Sequence, residues 1–192
     1  MLRKGQKTNV RNYQDKKALE EVLLSVKEPK TLHLSTHGYF LKDEEVKSQL
    51  RMGFISREGG KMVDIGVENP MLRSGIVLAG VNASLKEGRD EGMVTAEKIL
   101  SLSLKGTDLV VLSACETGVG DVKIGEGVFG LKRSFILSGA KTVVMSLWSV
   151  PSIETTELMT DFYTIWAKGR TKADAFQEAR LKLMKKKLNP FY

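Results

Sequence analysis

Cys115 is the single cysteine of the chain, and His37 is one of two histidines. Each closes an apolar run and leads into glycine: "TLHLSTHG" delivers His37-Gly38, and "DLVVLSACETG" delivers Cys115-Glu116 ahead of Gly118. A thiol becomes a nucleophile when a base or a positive field favours its thiolate. A histidine at a neighbouring strand end can supply that base, and can then protonate the leaving amine. The oxyanion formed on attack needs donors fixed in advance, and the backbone N–H groups of Gly38 and Cys115 are the candidates. Glycine after the histidine also admits a substrate backbone without a clash. The same residues have a plainer reading. A lone cysteine is often inert buried filler, and a strand-end histidine is often a structural hydrogen-bonding group. Pattern alone leaves both readings open.

The two residues can cooperate only if their strands lie side by side. "TLHLST" reads as a short buried strand that turns sharply at Gly38. "DLVVLSA", apolar on both faces, is the strongest strand of the chain. "GIVLAG" at 75–80 and "KTVVMSLWSV" at 141–150 are further buried strands, the last stopped by Pro151. Helical spacing of Leu19, Val22, Leu23 and Val26 predicts a helix over 13–27, ended by Pro29. "TAEKILSL" is a short helix capped by Thr95. "GVFGLKRSFILSGA" is a helix stopped at Gly139. Two helices follow: "SIETTELMTDFYTIWAKG", capped by Ser152 and stopped at Gly169, and "TKADAFQEARLKLMKKKL", capped by Thr171. "NASLKEGRDEG" is a polar excursion, and "KMVDI" a possible strand inside an irregular insertion at 41–70. This alternation predicts an α/β fold with a mostly parallel sheet and helices on both faces. In such sheets chemistry gathers at the carboxyl ends of the strands, where His37 and Cys115 stand. His33 lies four residues earlier on the same face. It lacks the following glycine and reads as a packed, hydrogen-bonded histidine within the strand.

Composition narrows the class. With 192 residues, 42% hydrophobic and 28% charged, the chain reads as a single soluble domain over 1–192, with a basic tail at 1–12. No apolar run is long enough to span a bilayer, and the amino terminus has no signal-peptide core. One cysteine makes neither an internal disulfide nor a zinc site of thiolates, so the expected compartment is reducing and cytoplasmic. The net charge of +7 gathers in "LRKGQK" and "ARLKLMKKKL". Without a nucleic-acid motif or interleaved aromatics these runs read as solvated surface, not a nucleic-acid site. "GVGDVKIGEG" lacks the G-K-[ST] ending of a phosphate loop, so nucleotide binding there is rejected.

Five blocks in order carry a resemblance: "LHLSTHGYF", "GIVLAGVN", "VTAEKILSLSLKGTDLVVLSACETGVG", "GEGVFGLKRSFILSGAKTVVMSLWSV" and "FYTIWAKGRTKADAFQEARLKL". Together they span 31–184 and are similar to the CHAT domain, a family of caspase-like cysteine peptidases alongside separases, metacaspases and gingipains. The resemblance implies a caspase-like sheet, a His37–Cys115 dyad that cleaves peptide bonds without metal or cofactor, and a protein substrate. It also implies an attached regulatory repeat region, often tetratricopeptide repeats, or an effector subunit that gates the protease. Some relatives act in antiviral defence, including RNA-guided systems. Ser113 stands where the caspase signature has glutamine, and "ET" intervenes before Gly118, so caspase specificity for aspartate does not transfer. Family chains carry sheet before the "HG" strand and a final apolar strand after the last helix. The chain is therefore expected to be a piece of a longer one, with part of the sheet missing and an open edge.

The substrate pocket is expected from loops flanking the dyad. Glu116, Asp121, Glu126 and Glu154 lie near the nucleophile turn or beyond the "SLWSV" strand, and would favour Lys or Arg in the substrate. Asp121 is the first choice, since Glu126 and Glu154 also suit helix N-termini. Trp148 and Ser149 in "SLWSV" are expected to offer backbone to an extended substrate, with Trp148 either packing the core or walling a subsite. Two rival readings keep the fold: an inactive caspase-like scaffold that only docks partners, and a Cys-His hydrolase or acyltransferase acting on a non-peptide substrate. Residues 116–127 are expected to order only when an activator docks. Amide hydrogen exchange should then be fast across this loop in the resting protein, and protection there would contradict it.

Overall fold

In a computed structural model of the chain, residues 9–40, 70–88, 91–116, 125–146 and 151–186 are described. They form two compact units, one of 13–149 and one of 1–12 with 150–192. The larger unit holds α1 (Glu20–Leu24), β1 (Thr31–Phe40), α2 (Pro70–Arg73), β2 (Ser74–Val77), α3 (Val81–Lys86), β3 (Met93–Thr95), α4 (Ala96–Leu100), β4 (Leu109–Glu116), α5 (Gly125–Leu137) and β5 (Val143–Met145). The smaller holds α6 (Ser152–Ala167) and α7 (Lys172–Lys186). No helix among the described residues is long and apolar enough to cross a membrane.

The strands form one sheet in the order β3-β2-β1-β4-β5. The α/β class stands. The parallel part is β1, β4 and β5, and "GIVLAG" departs from expectation: β2 runs antiparallel to β1, and β3 antiparallel to β2. The sheet is therefore mixed. The link from β2 to β3, with α3 inside it, returns the chain antiparallel beside β2. β1 is the seam between the two halves.

One carboxylate ties the amino ends of the three parallel strands. Asp108 immediately precedes β4, and its side chain takes ion pairs from Lys30, which immediately precedes β1, and from Lys141, which lies just ahead of β5, at 2.9 Å. Main-chain bonds reinforce the alignment: Asp108 N–H donates to the Lys30 carbonyl at 3.0 Å, and Lys141 N–H to the Thr107 carbonyl at 3.0 Å. Bonding to both lysines holds the Asp108 carboxyl down at about 2. The apolar core lies on one face of the sheet. It joins Ile76, Val94, Val110 and Leu112 of the strands to Ile99 of α4 and to Leu131 and Phe135 of α5, with Leu32 and Leu34 of β1 packed against it. α5 ends as expected at Gly139, whose φ of 110° favours glycine; a Cβ there would lie 2.7 Å from the Lys105 backbone nitrogen.

Local predictions hold where capping chemistry is explicit. Thr95 accepts from the Lys98 N–H at 3.1 Å, and Thr171 from the Asp174 N–H at 3.1 Å. Elsewhere tertiary bonds override them. The helix expected over 13–27 is a 3-10 turn at Asp15–Lys17 followed by the short α1. Asp15 has a φ of 50°, and the Ala18 carbonyl is taken by the Ala79 N–H. "NASLKEGRDEG" contains α3. Pro151, not Ser152, is the cap residue of α6, whose first turn is closed by Thr155 Oγ1 donating to the Pro151 carbonyl. In the smaller unit, α6 and α7 pair through Phe162, whose ring stacks on Trp166 and meets Phe176 edge-on. Buried Ala175 and Ala179 line the facing side of α7, and Lys182 pairs with Asp161 at 2.5 Å. The side chain of Tyr163 is desolvated there, which pushes its phenol up to about 12.

The Asp108 clamp sets an acid-side signature. Its carboxyl is depressed in the fold, so its contribution is fully present above the ordinary carboxyl range and is lost as pH falls from about 4 toward about 2. Its lysine partners are more than half exposed, and screening reduces the contribution to about 1–2 kcal/mol. Asp108→Asn is expected to lower stability by that amount in urea unfolding at pH 7. The gap to the native protein should narrow as pH approaches 2.

Candidate active site

The two faces of β1 differ in kind. Leu32 and Leu34 pack on the core, and Gly38 is buried on that side. On the other side His33, Ser35 and His37 are exposed in succession. The pleat makes this division, since alternate residues of a strand share a face. His33 is thus more exposed than the packed, hydrogen-bonded histidine expected, but it keeps an interaction partner in this row. Enough protein still surrounds it to hold its imidazole below the ordinary histidine value by desolvation.

Gly38 also departs from expectation. The chain does not turn there, because β1 continues to Phe40. β2 supplies antiparallel partners for His37 through Phe40, and β4 reaches as far as Gly38 on the other side. The backbone beyond His37 is therefore taken up by ladder pairing, and no sharp turn is needed.

The parallel register runs unbroken from Thr31 opposite Leu109 to Gly38 opposite Glu116. Within it, His37 and Cys115 are direct partners. Adjacent strands lie about 4.8 Å apart, and register partners occupy equivalent points of the pleat. The sheet thus brings the backbone positions of the single cysteine and of His37 together at the carboxyl ends of two parallel strands. That is the juxtaposition the sequence reading required.

A family model for the CHAT domain matches residues 1–192. The chain belongs to the CHAT domain family. It is accordingly a domain of the caspase-like cysteine-peptidase type. It is also 34% identical over 89 residues to the human protein "Tetratricopeptide repeat protein 28". That alignment takes in 46% of this chain and 4% of the relative, so the CHAT domain corresponds to a small part of a much longer protein.

Among the other expected site residues of this CHAT domain, Glu116 closes β4 opposite Gly38. Asp121, Trp148 and Ser149 lie outside the described residues. Glu126 falls within the first turn of α5 and Glu154 in the first turn of α6, where the Glu154 carboxylate suits the helix dipole. Of the stretch expected to order only on activation, 116–127, Glu116 belongs to β4 and 125–127 to α5, and 117–124 lie outside the described residues. No group of three or more His, Cys, Asp or Glu side chains suited to a metal ion lies among the described residues.

Sequence reasoning missed the other flank of His37. Val77 of β2 is its antiparallel register partner, and Thr36 Oγ1 donates to the Val77 carbonyl. β2 and β3 are held in turn by Glu20 of α1. Its carboxylate accepts from the Gly92 N–H at 2.7 Å and pairs with Lys98 at 2.9 Å. β2 is four residues long and buried through its first three, so it carries no alternation that could signal direction.

Gly75 makes the close packing of this flank possible. It pairs with Tyr39 on one side and Thr95 on the other. A Cβ at Gly75 would lie 2.5 Å from the Tyr39 Oη and 2.6 Å from the Val94 carbonyl oxygen. The tyrosine can swing away, but the carbonyl belongs to the ladder and cannot. Gly75→Ala is expected to destabilise the domain by about 1–3 kcal/mol through overpacking, read as a lowered midpoint in thermal unfolding.

Proposed function

We propose that this chain is a cysteine endopeptidase domain acting through a Cys115–His37 dyad and switched on by a partner or an attached sensor region. The observation that carries the reading is the direct register pairing of His37 with Cys115 at the carboxyl ends of two parallel strands. Membership of the CHAT family supports the same chemistry. The tetratricopeptide-repeat relative supports a regulatory repeat region as the partner.

In this mechanism His37 takes the proton from the Cys115 thiol, and the thiolate attacks the carbonyl carbon of the scissile amide. The tetrahedral oxyanion is received by the backbone N–H groups of Gly38 and Cys115. Collapse breaks the C–N bond as His37 returns the proton to the leaving amine. Water, deprotonated by His37, then hydrolyses the thioester and regenerates the thiol. Gly38 has a strand neighbour on each side. Its role as oxyanion donor therefore calls for the carboxyl end of β1 to part from a neighbour when substrate enters, a step an activator can control. Glu116, at the end of β4, and Asp121 just beyond supply negative charge for a basic side chain before the scissile bond. Trp148 and Ser149 offer backbone to the extended substrate.

A peptide library incubated with the protein and its activating partner tests this by mass spectrometry. Cleavage is expected after Lys or Arg. It should vanish in Cys115→Ala and fall about 10²–10⁴-fold in His37→Ala, the range of general acid–base catalysis. Uncut peptides in the presence of the activator, with the biological effect intact in Cys115→Ala, would establish the scaffold reading instead.

A further inference from the structure

We propose that Ser35 and Ser113 form a hydroxyl pair that orients the His37 imidazole toward Cys115. The proposal rests on the dyad reading above and assigns the two serines a positioning role, not a catalytic one. Ser35 and Ser113 are themselves register partners, one pleat repeat before His37 and Cys115 in the same parallel ladder. Same-face neighbours along a strand are about 6.6 Å apart and the strands about 4.8 Å apart, so four such positions make one compact patch on the sheet.

The neighbours of His37 in the ladder narrow the choice. Val77 lies across on β2, Ser35 two residues back and Tyr39 two residues ahead along β1, and Ser113 diagonally across on β4. The Tyr39 hydroxyl packs against Gly75, its own register partner, where a Cβ would lie 2.5 Å from it, which leaves the two serine hydroxyls for His37. A general base in a nucleophile–base pair is held by a third group that fixes its ring and tautomer. Hydroxyls can do this as donor or acceptor. The preceding residues on that face of β4, Leu109 and Val111, are fully buried and apolar, and the pattern breaks to serine at the step next to the dyad. Ser35 is exposed in the polar row of β1, and Ser113 is half-buried. Serine also has little intrinsic preference for strands, which favour β-branched and aromatic residues.

The single cysteine makes the test specific, because alkylation by iodoacetamide reports on Cys115 alone. The rate is measured against pH, in the presence of the same activating partner as in the peptide-library test, for the native protein and for His37→Ala, Ser35→Ala, Ser113→Ala, the double serine variant and Ser113→Thr. The native protein is expected to show a thiolate inflection below the ordinary thiol value of about 8.5, and His37→Ala to return it there. Each serine-to-alanine change should slow alkylation at pH 7 by about three- to tenfold and move the inflection upward, with the double variant little worse than either single one. Ser113→Thr, which keeps the hydroxyl, should restore most of the rate. Native profiles in Ser35→Ala and Ser113→Ala, beside a perturbed profile in His37→Ala, overturn the positioning role and leave the dyad standing. A native protein with an ordinary thiol profile, unchanged in His37→Ala, overturns the dyad reading itself. Should Ser113→Ala lower the melting temperature, the exposed Ser35→Ala carries the decision. Its ¹⁵N histidine spectrum should then show His37 in mixed tautomers where the native protein shows one.

Discussion

The parallel register of β1 against β4 is the constraint on which the rest of the site depends. It is fixed at the end of the strands away from the proposed chemistry. There Asp108 gathers Lys30 and Lys141, and three strands enter the sheet in step. A parallel ladder carries that alignment along its whole length, so Thr31 opposite Leu109 at one end entails His37 opposite Cys115 at the other. A one-residue slip would set His37 opposite Ala114 or Glu116 and turn every side chain of one strand to the wrong face. The unlike faces of β1, with Leu32 and Leu34 on the core and His33, Ser35 and His37 opposite, make such a slip costly. The acidic clamp and the apolar core therefore specify the same register.

The polar row of β1 shows where stability gives way to function. Central strands in α/β sheets are normally apolar on both faces. β4 keeps to that rule through Leu109, Val110, Val111 and Leu112. β1 keeps to it on the core side alone, and presents His33, Ser35 and His37 on the other. Three apolar side chains there would add buried area if that side were covered, at about 25 cal/mol per Å². The strand forgoes that gain over the stretch leading to Cys115's partner. His33 shows that the row is not fully wet, since desolvation already favours its neutral form.

What the sequence made legible follows from the range of the interaction involved. Thr95, Thr171 and Gly139 act within a few residues, and each was read correctly as a cap or a stop. β4 was legible because its apolar run is long and bounded. The pairing of His37 with Cys115 was inferred from two strand ends and the rule that parallel strands share an exit edge. Apart from the cap of α6 and the short α3, the failures are long-range. Nothing local says that the Ala18 carbonyl will bond to Ala79 and interrupt a helix, or that β2 will pair antiparallel and carry β1 straight through Gly38. Exposure of His33 was equally hidden, because periodicity gives the face a residue takes but not what covers that face.

The mixed sheet gives the proposed dyad two separate supports. On one side, Asp108 holds β1 to the parallel pair β4 and β5. On the other, Glu20 binds the Gly92 N–H and Lys98, the Ala79 N–H reaches back to the Ala18 carbonyl, and Thr36 holds the Val77 carbonyl beside His37. His37 therefore sits on the seam, with Cys115 as its partner in one half and Val77 in the other. A change at Ala18 or Glu20 acts on the β2 side through polar bonds that do not involve β4. The two halves of the sheet thus have separate polar fastenings, while β1 and the apolar core of Ile76, Val94, Val110 and Leu112 join them.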